Sequence, residues 1–173
     1  MGQRSTGIVL EQVPLSRACE LREGLSAYLL EFAQLEQVPP ALDPDGSPAY
    51  AWFGSYWRDP GRLPFFVVAD GSVVGFCLVR VVDRGWNVAE FGVRPEARRR
   101  GIGRAAVAAL AYHATAAGAS HVRADVHLWN DRARRFWHAC GFADLEQRGE
   151  VVTTLLRLAP GSSPPVDSRE ARR

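Results

Sequence analysis

Lysine is missing from this 173-residue chain, and all 21 basic side chains are arginine. Arginine suits bidentate contacts to phosphate, but uniform replacement along a whole chain reads as base composition and carries no functional weight. Cysteine is scarce as well. Cys19, Cys77 and Cys140 are odd in number and far apart, which argues against a disulfide framework or a zinc site and predicts reduced, buried thiols. Nothing in the sequence marks Cys140 as an activated nucleophile. No apolar run approaches the ~18 residues that cross a membrane. Met1-Gly2-Gln3-Arg4-Ser5 leads into no apolar leader segment, so a cytoplasmic protein with no membrane partner is expected. The net charge of +2 is too near neutral for nucleic acid to be the main partner. There are no internal repeats.

What is present is enough to build a core. With 47% hydrophobic residues, residues 1–158 are expected to form a single domain. Residues 159–173 turn to proline, serine and charge, the composition of a disordered tail. Gly7 to Val13 reads as a strand, with Ser16 as N-cap of a helix from Arg17 to Gln37 carrying Leu21, Leu25, Tyr28, Leu29, Phe32 and Leu35 at helical spacing. A proline-rich loop leads to a short aromatic helix over Ala49 to Asp59. Strands over Phe65–Ala69 and Val73–Val82 meet at Asp70-Gly71, a hairpin signal, and a strand over Trp86–Val93 follows. A helix over Ala105–Ala117, a strand over His121–Leu128, a helix over Asn130–Cys140 and a hairpin over Ala143–Leu158 complete the pattern. This order predicts an α/β (α+β mixed) fold, a mixed sheet with helices on both faces.

One segment stands out between the third of these strands and the helix after it. Arg98-Arg99-Arg100-Gly101-Ile102-Gly103-Arg104 puts glycines and arginines at a helix start, where unpaired N–H groups and the positive end of the dipole coincide. That is a socket for phosphate or pyrophosphate. Gly101-Ile102-Gly103-Arg104-Ala105-Ala106 also satisfies the dinucleotide fingerprint G-x-G-x-x-A, but the fingerprint needs its glycine turn at the strand end. Here Arg94 to Arg100 intervene. The dinucleotide reading is the weaker one.

Downstream, Asn130, Ala133, Phe136, Trp137, Gly141 and Phe142 form N-x-x-A-x-x-F-W-x-x-x-G-F. With Arg98, Gly101 and Gly103 matching Q/R-x-x-G-x-G/A, residues 64 to 158 resemble the GNAT superfamily of acyl-CoA-dependent N-acetyltransferases. The resemblance implies a mostly antiparallel, twisted sheet of six or seven strands, with acetyl-CoA as co-substrate and no metal. It implies that backbone groups of Phe91, Gly92 and Val93 bind the pantetheine arm as a strand would. Amides from Arg99 through Arg100, Gly101, Ile102 and Gly103 to Arg104 would hold the pyrophosphate, with Arg98 or Arg104 adding side-chain contacts. Asn130 would bond the pantetheine or phosphate region, or serve only as a helix N-cap. Phe136 and Phe142 read as core. Acetyl would pass directly to the amine, without an acyl-enzyme.

Trp137 departs from the pattern, because the family usually has a tyrosine there that protonates the departing thiolate. An indole N–H cannot do so near neutral pH, although a thiolate of pKa ~8.5 needs little help to leave. Tyr50, Tyr56 or water could substitute. Glu90 is the candidate general base, on the face of its strand opposite Phe91 and Val93; the competing reading pairs it with an arginine. Tyr50, Trp52, Phe53, Tyr56 and Trp57 either line an acceptor pocket or press onto the core. Glu31, Glu36, Asp43 and Asp45 would favour a cationic acceptor. The functional expectation is an N-acetyltransferase for the primary amine of a small molecule. The alternatives are an acyl-CoA-binding sensor without activity and a protein or peptide N-terminal acetyltransferase; a homodimer stays open.

Overall fold

The computed structural model describes residues 7–159. Its strands are β1 (Ile8–Gln12), β2 (Arg62–Ala69), β3 (Ser72–Val82), β4 (Gly85–Val93), β5 (His121–His127), β6 (Ala143–Arg148) and β7 (Val151–Arg157). The helices are α1 (Ala18–Glu36), α2 (Ile102–Ala116) and α3 (Asp131–Ala139). All seven strands join one sheet in the order β1-β2-β3-β4-β5-β7-β6. Of the neighbouring pairs only β4 and β5 run parallel, and the connection that makes this possible is the helical crossover α2. The fold is therefore mixed α/β with a mostly antiparallel sheet.

β2 and β3 read as near-continuous apolar runs because both of their faces are covered. Phe65, Val67, Cys77 and Val79 pack on one side with Ile102, Ala106, Val107 and Leu110 of α2 and Trp137 of α3. Phe66, Val68, Phe76 and Leu78 pack on the other with Leu21 and Leu25 of α1. The helical stripe of α1 and the alanine-rich stripe of α2 thus bury opposite faces of the same two strands.

A register slip breaks the alternation of β4. Leu78 of β3 faces Glu90 while its neighbour Val79 faces Val88, leaving Ala89 as an extra residue, a β-bulge. Trp86, Val88, Phe91 and Val93 all lie on the α2 side, whereas Ala89 lies on the α1 side. Pairing of β4 with β5 ends at Val88 and Ala124. Beyond it, β5 continues with β7 as far as His127 and Val151, and β4 continues with β3 as far as Val93 and Gly75. A gap opens between the two parallel strands.

Several sequence expectations are corrected. Ser16 caps nothing; it lies in a 3-10 turn, and α1 starts at Ala18 with Arg17 as an N-cap whose side chain makes no capping bond. The aromatic segment forms only a 3-10 turn over Phe53–Trp57. Helix α2 begins at Ile102 rather than Ala105, with Gly101 as its N-cap and Gly103 in its first turn. Cys19 is exposed, Cys140 half-buried and Cys77 buried. Apart from Ala159, the expected tail lies outside the described residues.

Gly75 shows how close the end of β4 comes to β3: a Cβ there would sit 2.3 Å from the Gly92 carbonyl oxygen. Neither backbone can give way without opening the sheet. Gly75→Ala is expected to cost about 2 kcal/mol, an overpacking penalty, and to lower the melting temperature by roughly 4–8 °C. Calorimetry checks this; an unchanged transition would show that β4 yields at no cost.

Candidate active site

The bulge has two consequences at one place. It leaves the β5-facing edge of β4 beyond Val88 without a strand partner, so that its N–H and C=O groups, apart from the Val93 carbonyl held by Arg98, can pair with an added strand. It also turns Glu90 toward α1, where the hydroxyls of Tyr28 and Tyr50 lie beside its carboxyl. Burial pushes the Glu90 carboxyl up from the usual 4.5 to about 7, and the two hydroxyls only partly offset it. Burial and the Glu90 charge raise Tyr28 and Tyr50 in turn, and burial raises Tyr56. All three phenols stay protonated. The buried Tyr56 hydroxyl has no hydrogen-bond partner among the described residues.

The arginine–glycine segment follows β4 directly. Pro95–Ala97 form a 3-10 turn, and then Arg99 (φ 62°) and Gly101 (φ 79°) adopt left-handed backbone. A non-glycine residue in that region costs energy and is found where the surrounding structure demands it. Gly101 is the N-cap of α2 and supplies no side chain to cap it, so the N–H groups of Ile102, Gly103 and Arg104 have no intrahelical acceptor. Arg99, Arg100 and Arg104 are exposed around them. A Cβ on Gly103 would lie 3.0 Å from the Phe136 ring, so α3 closes on this turn only because position 103 is bare.

Arg98 departs from its expected part as a side-chain contact to phosphate. Its Nε donates to the Val93 carbonyl at 2.7 Å, and its Nη1 and Nη2 donate to the two Glu31 oxygens at 2.6 Å each. Asn130 caps α3, its Oδ1 accepting from the Ala133 N–H at 3.0 Å. Trp137 is buried at 6% exposure. Its ring sits 5.8 Å from Phe91, 5.2 Å from Phe136 and 4.9 Å from Phe142, so it forms the α2-side wall of the gap while Glu90 forms the α1 side.

The five aromatics of the 50–57 segment do not stay together. Tyr50 and Tyr56 reach the surroundings of Glu90. Trp57 turns inward and donates its indole N–H to the Val13 carbonyl at 2.9 Å. Phe53 packs on Trp57 and under Arg22, and Trp52 is 58% exposed beneath Arg62. Those three serve the outer core and surface rather than a common pocket. The acidic set disperses likewise: Glu31 holds Arg98, Asp43 holds Arg22, and Asp45 holds Ser47. Tyr28 is the residue sequence reasoning missed. It sits on the Leu21–Leu25–Phe32 stripe of α1 and reads as core; only Glu90, far away in sequence, reveals its hydroxyl. A cleft of about 360 Å³ opens between α1 and the end of β4, with Tyr28, Glu31, Gly92 and Arg98 on its wall.

Comparison with known proteins agrees with this geometry. The family model described as "Acetyltransferase (GNAT) family" matches residues 27–142. No curated protein matches the sequence. Among solved structures, the chain is similar to the PaiA N-acetyltransferase of Thermoplasma acidophilum in complex with coenzyme A. That match has TM-score 0.64 and 14% identity, covering 87% of this chain and 99% of that one. It is similar to spermidine N-acetyltransferase of Vibrio cholerae in complex with CoA and spermine (TM-score 0.69, 12% identity, 88% and 96% covered). It is also similar to the ribosomal-protein-alanine N-acetyltransferase of Escherichia coli (TM-score 0.62, 17% identity, 92% and 98% covered). At such identities the structural likeness is one of fold. The family match covers most of the chain, and the protein belongs to the GNAT acetyltransferase family.

Glu90 makes a prediction that needs no substrate. A carboxyl whose folded pKa is raised stabilises the fold only while protonated, so its contribution is full below about 4.5 and is lost as pH rises through 7. Glu90→Gln lacks this titration. Relative to it, the parent protein is expected to lose up to about 3 kcal/mol between pH 4.5 and 8, read from urea denaturation at each pH. A difference that stays flat with pH would mean that Glu90 titrates normally.

Proposed function

We propose that this chain is an acetyl-CoA-dependent N-acetyltransferase that acetylates the primary amine of a small molecule, with Glu90 as general base. The observation that carries it is the placement of the Glu90 carboxyl: half-buried on the α1 side of the β4–β5 gap with the Tyr28 and Tyr50 hydroxyls beside it, where burial pushes it up to about 7. A base with its pKa near the working pH combines a useful ionised fraction with real basicity. An amine reaches the active site largely as ammonium and must lose a proton before it attacks, and Glu90 accepts that proton directly or through water.

The rest of the site suits acetyl-CoA, which supplies the activated acyl group as a thioester. The free edge of Phe91, Gly92 and Val93 offers the alternating N–H and C=O groups that pair with the amides of a pantetheine arm. The unpaired amides from Arg99 to Arg104 and the exposed guanidiniums of Arg99, Arg100 and Arg104 suit a diphosphate. Asn130, whose amide NH₂ is left over from capping, is within the same region of the fold. Tyr28 and Tyr50, whose O–H groups point to Glu90, leave their oxygens to accept from the ammonium, and the aromatic faces nearby favour a cation.

Trp137 supports a second reading, an acyl-CoA-binding domain without turnover, because no phenol stands at that wall. Release of CoA thiol from acetyl-CoA with a panel of primary amines, spermine included, separates the two. Tight acetyl-CoA binding with no turnover on any amine, or on peptide N-termini, would favour the sensor. For the enzyme, Glu90→Gln is expected to lower kcat/KM by roughly 10²–10⁴-fold and to remove the acid limb near pH 7. An acid limb that survives the substitution would dismiss Glu90 as base.

Trp137→Tyr is expected to leave the turnover rate within about tenfold, since the thiolate leaves readily. A thousandfold loss in steady-state kinetics would make the indole itself essential.

A further inference from the structure

We infer that Glu31 and Arg98 are positioning residues for phosphate recognition, their ion pair fixing the turn after β4 so that its amides converge on a diphosphate. The inference rests on the reading of this site as one for CoA. Arg98 spends its guanidinium on two separate elements. Nε holds the last carbonyl of β4, at Val93, and the Nη fork holds both carboxylate oxygens of Glu31 on α1. This is the planar, bidentate geometry at which arginine excels and which lysine cannot reproduce. The side chains are 24% and 34% exposed, so the pair is half-buried rather than a loose surface contact. Each partner favours the charged form of the other: Glu31 is held below the usual carboxylate range and Arg98 above its usual value.

The segment it holds needs such an anchor. Arg94 donates its N–H to the Val74 carbonyl of β3, but from there to Gly101 the backbone bonds are local, Ala97 N–H to Arg94 and Arg98 N–H to Pro95. Immediately afterwards Arg99 takes up left-handed backbone at φ 62°, a conformation that relaxes unless held. Arg98 is the hinge point between that turn and the end of β4. Glu31 also neutralises it, so phosphate affinity comes from the amides and from Arg99, Arg100 and Arg104, while Arg98 supplies their placement. Tyr28 lies one turn before Glu31 on α1, which makes one helix the support of both the phosphate turn and the phenol beside Glu90.

The test compares Glu31→Gln and Arg98→Lys with the parent protein, by calorimetric titration with CoA and by NMR titration with S-acetylpantetheine. The second ligand keeps the thioester arm and lacks phosphate. Each variant is expected to weaken CoA about tenfold, the scale of one charge-assisted hydrogen bond, and to leave S-acetylpantetheine within about twofold. The double variant is expected to be no weaker than the worse single one, because both remove the same pair. CoA affinity unchanged in both variants would overturn the inference. So would equal weakening of the two ligands, which would indicate general loss of structure. Tighter CoA binding by Glu31→Gln would overturn it differently, making the released guanidinium a phosphate ligand. Failure of the parent protein itself to bind CoA would remove the underlying reading, and the inference with it.

Discussion

The single extra residue at Ala89 is the constraint on which the rest of this structure depends. A strand without the bulge would keep its alternation, and Glu90 would share a face with Trp86 and Val88 inside the α2-side core. It would also keep its pairing with β5 past Val88, leaving no free backbone edge. One slip of register changes both: it rotates a carboxyl to the α1 side and separates two parallel strands. The cost of an unpaired edge inside a sheet is large when nothing covers it. Here the gap is walled by Phe91, Phe136 and Trp137 on one side and by α1 on the other, so an extended ligand entering it completes the sheet.

The electrostatics follow from the same arrangement. Glu90 has phenols rather than an arginine beside it, and they stabilise its anion only partly. Glu31 takes the opposite course, since Arg98 holds it ionised. The two glutamates therefore differ in kind, one pushed up toward neutrality by burial and the other held ionised by its ion pair. The difference lies in their partners rather than in the residue type.

Much of the fold is legible in the sequence, and the reason differs by element. β2 and β3 announce themselves through long apolar runs closed by Asp70-Gly71, and α2 through its alanines and the two glycines before them. Those signals are local, and so is the proposed socket for phosphate: it consists of backbone amides at a helix start, and glycine spacing reports them. The bulge at Ala89 leaves no local trace, because Trp86-Asn87-Val88-Ala89-Glu90-Phe91 contains neither glycine nor proline. Arg98 and Glu31 are 67 positions apart, and no spacing rule joins them. Trp57 and Phe53 look like pocket aromatics from their clustering. Only the Val13 carbonyl waiting for an indole N–H decides otherwise.

This contrast explains why one end of the site reads more clearly than the other. A diphosphate and a pantetheine arm are recognised largely by main chain, through geometry that short motifs encode and that tolerates exchange of most side chains. The proposed acceptor end is built from side chains of α1, of the loop around Tyr50 and of β4, each placed by tertiary packing. Trp137 belongs to the first end. It replaces a phenol at the wall of the gap, yet its ring fills the space between Phe91 and Phe142 and so preserves the shape the strand edge needs. The chemistry lost there is protonation of a good leaving group, the least demanding proton transfer in the reaction. Removal of the ammonium proton is the more demanding step, and on the proposed assignment it falls to Glu90, whose carboxyl burial pushes up to about 7.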